Sequence, residues 1–228
     1  MKVLITAGGT TEKIDAVRSI SNMSTGKLGS LTADCFATNE EVDKIFYICS
    51  ESSVKPKSDK AKIIKIDDVS ELESAVKVLL NHEKIDIIIH AMAVSDYRVK
   101  SVLSADNFTE IKVSKTEKIS SDMEEFFILM KKTPKIISFF KNLVPNATLV
   151  GFKLLNDVSV DELIDAGYEI LTKNHCDFVL ANDLKCANNN SHIGYLIDKD
   201  KNYQKYLSKN DIAVAIVEAT MGERDDKR

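Results

Sequence analysis

Apolar positions along the chain switch between two periods. Lys2–Thr6 is a β-rich run that stops at Ala7-Gly8-Gly9. Over Gly26–Asn39, Leu28, Leu31, Cys35 and Phe36 recur at helical spacing. Lys44–Cys49 and Ala61–Ile66 read as the next strands. Asp68 is placed to cap a helix over Val69–His82, with Glu71 three residues on, as in a capping box. Ile85–His90 is continuously apolar, the pattern of a strand covered on both faces. A helix at Pro134–Leu143, a strand at Thr148–Phe152, a helix at Val160–Asn174 and a strand at Asp177–Ala181 continue the alternation. A strand at His192–Ile197 and a helix at Asp211–Met221 close it. Gly222 opens a charged tail, residues 222–228, expected to be disordered.

Strands alternating with helices predict an α/β fold. We expect one domain over residues 1–221, a Rossmann-like parallel sheet with helices on both faces. Such sheets bind ligands beyond the carboxyl ends of their strands. The stretch Arg98–Lys132 breaks the pattern. There Lys112–Ser114 and Phe126–Met130 are strand-like with a polar segment between them, which predicts an inserted antiparallel arm with a mobile loop (98–132).

Composition narrows the class. Of 228 residues 44% are apolar, enough for a sizeable core. The longest apolar runs, such as Ile87–Ile89 and Phe126–Met130, fall far short of the ~20 residues a spanning helix needs. The first residues read as a strand ending at glycines rather than as a signal peptide, so a cytoplasmic protein with no membrane partner is expected. The net charge of −4, with Lys and Arg spread along the chain, is no nucleic-acid footprint. Cys35, Cys49, Cys176 and Cys186 never stand at C-x-x-C spacing. Free thiols in a reducing compartment are expected, rather than a zinc site or a disulfide framework.

Candidate chemistry follows the strands. Gly8 and Gly9 let the backbone approach a ligand, and Thr10 and Thr11 add hydroxyls. Neither G-x-G-x-x-G nor a P-loop is present. A polar loop of about sixteen residues then precedes the first helix, more than a simple connection needs. Ser24, Gly26 and Lys27 at that helix start suit an anion. After the fourth strand, Ala91 and Ala93 permit close approach, and Asp96 suits a metal, a ribose hydroxyl or a base. After the fifth comes Phe152, able to lie against a flat ring or to pack in the core. Asn182 and Asp183 follow the sixth. His82, His90 and His175 lack a base–nucleophile pattern, and no metal-ligand cluster is visible.

Taken together these segments resemble the phosphopantothenate–cysteine ligase family over nearly the whole chain. The resemblance rests on Ile14-Asp15-Ala16-Val17-Arg18, Ile20-Ser21-Asn22, Ser24 and Gly26-Lys27-Leu28-Gly29. It continues through Ala91–Arg98, Lys118-Ile119, Thr133-Pro134-Lys135-Ile136, Val150–Lys153 and Ala181-Asn182-Asp183. Many bacterial members are fused to a flavin-dependent decarboxylase, and this chain resembles a stand-alone form. Two segments depart from the fused bacterial pattern. Lys118-Ile119-Ser120-Ser121 replaces K-I-K-K, and Lys153-Leu154-Leu155-Asn156 follows Gly151-Phe152. Both look closer to eukaryotic-type members, which leaves CTP and ATP open as the nucleotide.

The resemblance implies a modified dinucleotide-binding fold, usually a homodimer, and a reaction in coenzyme A biosynthesis. The substrate carboxylate attacks the α-phosphate of a magnesium-bound CTP or ATP, pyrophosphate leaves, and cysteine then takes the acyl group. No tightly bound organic cofactor is implied. Asn22 would hold the acyl intermediate and Lys118 would neutralise charge. Gly8, Gly9, Thr10, Ser24, Gly26 and Lys27 would cradle phosphates, with Asp96 and Phe152 near the nucleoside. Ala91, Ala93 and Asn182 would line the substrate. The alternatives are an NAD(P)-dependent reductase or epimerase and a nucleotide-sensing module.

Overall fold

The computed structural model describes residues 1–111, 118–120, 123–187 and 192–225. In chain order the elements begin β1 (Lys2–Ala7), β2 (Thr11–Lys13), β3 (Ser19–Ser21), α1 (Lys27–Ala37), β4 (Lys44–Cys49), β5 (Ala61–Lys65) and α2 (Val69–His82). Then follow β6 (Ile87–His90), β7 (Tyr97–Ser104), β8 (Glu110–Ile111), β9 (Phe126–Lys132), α3 (Ile137–Leu143) and β10 (Thr148–Leu155). The chain ends with α4 (Val160–Asn174), β11 (Phe178–Ala187), β12 (His192–Ile197), β13 (Tyr203–Tyr206) and α5 (Lys209–Asp225).

The central sheet has the order β13-β12-β11-β10-β6-β1-β4-β5. The six strands from β11 to β5 are parallel, as the alternation predicts. β12 and β13 are antiparallel. Among the described residues no helix separates β11, β12 and β13, and a parallel pairing would need a crossover. Alternate residues of each buried strand serve opposite faces. Ile88, Leu4 and Leu149 pack with α2, α3 and α4 on one side. Ile87, Ile89, Val3, Ile5 and Val150 pack with α1 and α5 on the other. Each such fully buried side chain contributes roughly 1.5–3 kcal/mol. Gly29 lets α1 sit close on β1, since a Cβ there would stand 2.5 Å from that of Ala7.

Several boundaries differ from the sequence reading. Asp68 does cap α2, accepting the Glu71 N–H at 2.9 Å, but the Glu71 carboxylate turns to the Asp67 N–H at 2.7 Å. The loop after β1 contains a short hairpin, β2 against β3. The inserted arm is antiparallel, β8-β7-β9, and the expected strand at Lys112–Ser114 lies outside the described residues. β10 runs past Phe152 and β11 past Asn182, so both sit inside strands. α5 continues through Gly222 to Asp225, so that part of the tail is helical rather than disordered. Among the described residues no helix is long and apolar enough to cross a membrane.

Candidate active site

β1 and β6 are neighbours, yet the chain leaves β1 toward β4 and β5, and leaves β6 toward β10 and β11. Their carboxyl ends therefore open a crevice at the topological switch point. Beyond the strands the two segments stay tied. The Ala91 N–H donates to the Thr6 carbonyl (2.9 Å), Ala93 to Gly8 (2.8 Å) and Thr10 to Ala93 (3.1 Å). Gly8 has φ +86° and Gly9 has no room for a side chain, since a Cβ on Gly9 would lie 2.2 Å from the Asn22 carbonyl oxygen.

The β2–β3 hairpin returns the chain to this turn. Asn22 follows β3, donates its N–H to the Thr10 carbonyl (3.2 Å) and accepts the Ser24 N–H on its own carbonyl (3.0 Å). Gly26, at φ +70°, starts α1 directly over Gly8, and a Cβ on Gly26 would stand 3.1 Å from the Gly8 nitrogen. Thr25 Oγ1 accepts the Lys27 N–H at 3.3 Å, and the Lys27 side chain is exposed. The first-turn N–H groups of α1 thus face the crevice with a lysine beside them, the arrangement that attracts an anion. Ser24 lies two residues before the cap, which is Gly26.

Thr10 takes a different place from the one expected of it. It is fully buried and its N–H, carbonyl and hydroxyl are all engaged within the protein. Its hydroxyl joins Ser95 and Asn22 in a chain of side-chain hydrogen bonds. The Thr10 hydroxyl is thus spent inside the protein.

Asp15 and Arg18 tie the arm to this loop. Asp15 is buried and accepts the N–H groups of Val17 (2.9 Å), Arg18 (2.7 Å) and Ile119 (3.1 Å). The Arg18 guanidinium closes on its carboxylate at 2.6 and 2.9 Å and also reaches the Ile119 carbonyl at 3.1 Å. Arg18, and then these backbone donors, outweigh the burial that would raise Asp15 and hold its carboxyl well below the usual carboxylate range. Lys118 precedes this buried, clasped Ile119 and is itself exposed.

Asp96 follows the Ser95 segment and pairs with Lys135 at 2.5 Å. Phe152 is partly buried against the core, two strands from β1 and so about 10 Å across the sheet. Asn182 lies one strand further, about 14 Å from β1. Its neighbour Asp183 turns away to accept the N–H groups of Asp157, Val158 and Lys185. The structure therefore gathers Gly8, Gly9, Ser24, Gly26, Lys27, Asn22, Ala91 and Ala93 around one turn. Phe152 and Asn182 sit further along the same sheet end. Ser95, Asp15, Arg18 and Lys135 were missed as individual site residues. For Asp15 the signal was available, because an Asp two and three residues before free N–H groups makes a local side-chain turn.

Residues 1–222 match the family described as DNA/pantothenate metabolism flavoprotein, C-terminal domain. The chain belongs to this family. The coenzyme A biosynthesis bifunctional protein CoaBC of Thermococcus kodakarensis is 34% identical over 203 residues, covering 87% of this chain and 45% of that protein. The chain spans about half the length of the curated relatives it matches. A crystal structure of the DNA/pantothenate metabolism flavoprotein from Streptococcus pneumoniae is 33% identical, with TM-score 0.87, covering 98% of this chain and 99% of that one. A Cab2 variant in complex with phosphopantothenate-cysteine is 18% identical, with TM-score 0.71 over 98% of this chain and 88% of that one, and shares the fold. In this member of the family, backbone bonds tie Asn22 to the segment after the Gly8-Gly9 turn, and Gly26 packs directly on Gly8.

Proposed function

We propose that the chain is a phosphopantothenate–cysteine ligase that consumes CTP or ATP. The observation that carries this reading is the Asn22 side chain set beside Gly9 of the Gly8-Gly9 turn, on which the Gly26 start of α1 also packs. One acyl-binding amide thus adjoins one anion cradle, in a member of this family. The names of the CoaBC relatives and the ligand of the Cab2 complex support the choice of substrates.

In this reading the triphosphate lies along Gly8, Gly9, Ser24, Gly26 and Lys27, with the nucleoside toward Asp96 and Phe152. The phosphopantothenate carboxylate oxygen attacks the α-phosphorus, and the bond to pyrophosphate breaks. The cysteine amine then attacks the acyl carbon of the acyl-nucleotidylate, forming the amide and releasing the nucleoside monophosphate. The protein supplies positioning and charge neutralisation and needs no nucleophile of its own. Asn22 holds the acyl intermediate. Lys118, fixed through Ile119, meets the phosphate charge. Ala91, Ala93 and Asn182 border the pantothenate substrate.

Magnesium fits this site only as a passenger. Among the described residues no group of three or more His, Cys, Asp or Glu side chains is placed to hold a metal. An ion carried on the triphosphate asks for one or two protein oxygens, and Asp96 offers a carboxylate after β6. When bound, the ion neutralises phosphate charge.

The active form in this proposal is a homodimer, joined through the arm. Phe127 and Leu129 are exposed on alternate positions of β9, and Phe108 stacks on Phe127 at 5.3 Å. An apolar sheet face of this kind supports a protein contact. The free thiols of Cys35, Cys49 and Cys176 support a reducing, cytoplasmic setting. The test is pyrophosphate release from the purified protein with cysteine and magnesium, with CTP and ATP in parallel. Release that requires phosphopantothenate is expected. Release independent of it, or none from folded protein, refutes the reading.

A further inference from the structure

Asn22 is the end of a three-residue relay whose direction follows from the buried Thr10 hydroxyl, which donates to Ser95 Oγ. The Ser95 N–H donates to Thr10 Oγ1 at 2.9 Å. The Thr10 hydroxyl donates its only proton to Ser95 Oγ at 3.0 Å. Ser95 Oγ, having accepted there, donates its own proton to Asn22 Oδ1 at 2.9 Å. Thr10 is fully buried and Ser95 is 6% exposed, so water does not compete for these groups. The Ser95 carbonyl is held in turn by the Thr133 hydroxyl at 2.5 Å. An amide has one acceptor and two donors on its terminal atoms. With its oxygen anchored on Ser95, the Asn22 amide turns its nitrogen the other way, and the Nδ2–H groups are what it offers a ligand.

We infer that Ser95 is a positioning residue that locks the Asn22 amide with its nitrogen toward the crevice, so that Asn22 recognises a carbonyl or phosphoryl oxygen of the activated acyl group. This rests on the ligase reading above and adds the residue that orients its amide. Ser95 itself touches no substrate. It acts by removing the flipped orientation, in which Asn22 would turn an acceptor toward an electron-rich oxygen. Thr10 contributes by supplying the proton that commits Ser95 to donate outward.

The test is Ser95→Ala, alone and combined with Asn22→Ala, in a single turnover that follows pyrophosphate and phosphopantothenoylcysteine separately. Thermal melting establishes that each variant is folded. Loss of one neutral hydrogen bond should cut product formed per pyrophosphate released by about three- to tenfold. No further loss is expected when Ser95→Ala is added to Asn22→Ala, because the relay acts only through that amide. An unchanged ratio in the single variant, or additive losses in the double, overturns the inference. A second readout needs no turnover: the order parameter of the Asn22 Nδ2 group by nitrogen-15 relaxation. It should be high in the native protein and fall in Ser95→Ala. An unchanged order parameter overturns the relay even if the protein proves not to be a ligase. A lowered one, without ligase turnover, sustains the relay and removes only the reaction.

Discussion

His90 gives a quantitative test of the core. It ends β6 opposite Thr6 of β1, with the Thr6 hydroxyl 2.7 Å from its Nδ1 and the Phe140 ring packed edge-on, centroid to centroid 5.1 Å. Burial without a carboxylate partner pushes its pKa from 6.5 down to about 4. The unfolded chain therefore binds a proton more tightly than the folded one. Its stabilising contribution is complete above pH 6.5 and is lost as pH falls through 4. Each pH unit in that window corresponds to 1.36 kcal/mol, so the whole interval is worth about 3 kcal/mol. About 2.5 kcal/mol of it should disappear between pH 7.5 and 4.5. Against a typical total of roughly 5–15 kcal/mol this is a large loss. The assay is urea unfolding at both pH values for the native protein and for His90→Asn, which cannot titrate. The variant starts less stable, and its pH-dependent loss should be smaller by about 2.5 kcal/mol. Carboxylates and His192 titrate alike in both proteins and cancel in the difference. Equal slopes would refute the argument that His90 is buried neutral.

Three further outcomes are expected. Asp15→Asn removes the charge that holds Arg18 and the Ile119 backbone. Pyrophosphate release should then fall about as far as in Lys118→Ala, and the double variant should be no worse than either single one; additive losses would separate Asp15 from Lys118. Gly26→Ala forces a side chain into φ +70°, 3.1 Å from the Gly8 nitrogen. A cost of about 1–2 kcal/mol follows from the left-handed backbone alone, and calorimetry should record nucleotide binding weakened beyond that stability loss. Phe127→Lys places a charge on the exposed face of β9, so sedimentation should find the proposed dimer lost in the variant while the melting temperature of the monomer holds.

The fold was legible wherever an element was long enough to show its period. The Val69–His82 helix and the Lys44–Cys49 strand fall where the pattern put them, because their apolar stripes span several turns or a whole strand. The hairpin of Thr11–Lys13 with Ser19–Ser21 was illegible, since three residues carry no period. β13 was missed for a related reason: Tyr203–Tyr206 lies at the sheet edge and is largely exposed. Gly8 and Gly9 were readable as backbone-approach positions, and the structure leaves no room for a side chain at either. The Ser95–Asn22 bond was not, because it joins residues 73 apart and depends on which strands lie together. The inward bond of the Thr10 hydroxyl was hidden by the same gap, since its serine partner lies 85 residues away.

The most direct test of the central claim is the fate of carboxylate oxygen. With phosphopantothenate labelled in its carboxylate with oxygen-18, one complete turnover should put one labelled oxygen in the nucleoside monophosphate and none in pyrophosphate. Label in inorganic phosphate, or a nucleoside monophosphate free of label alongside product, would contradict the acyl-nucleotidylate route.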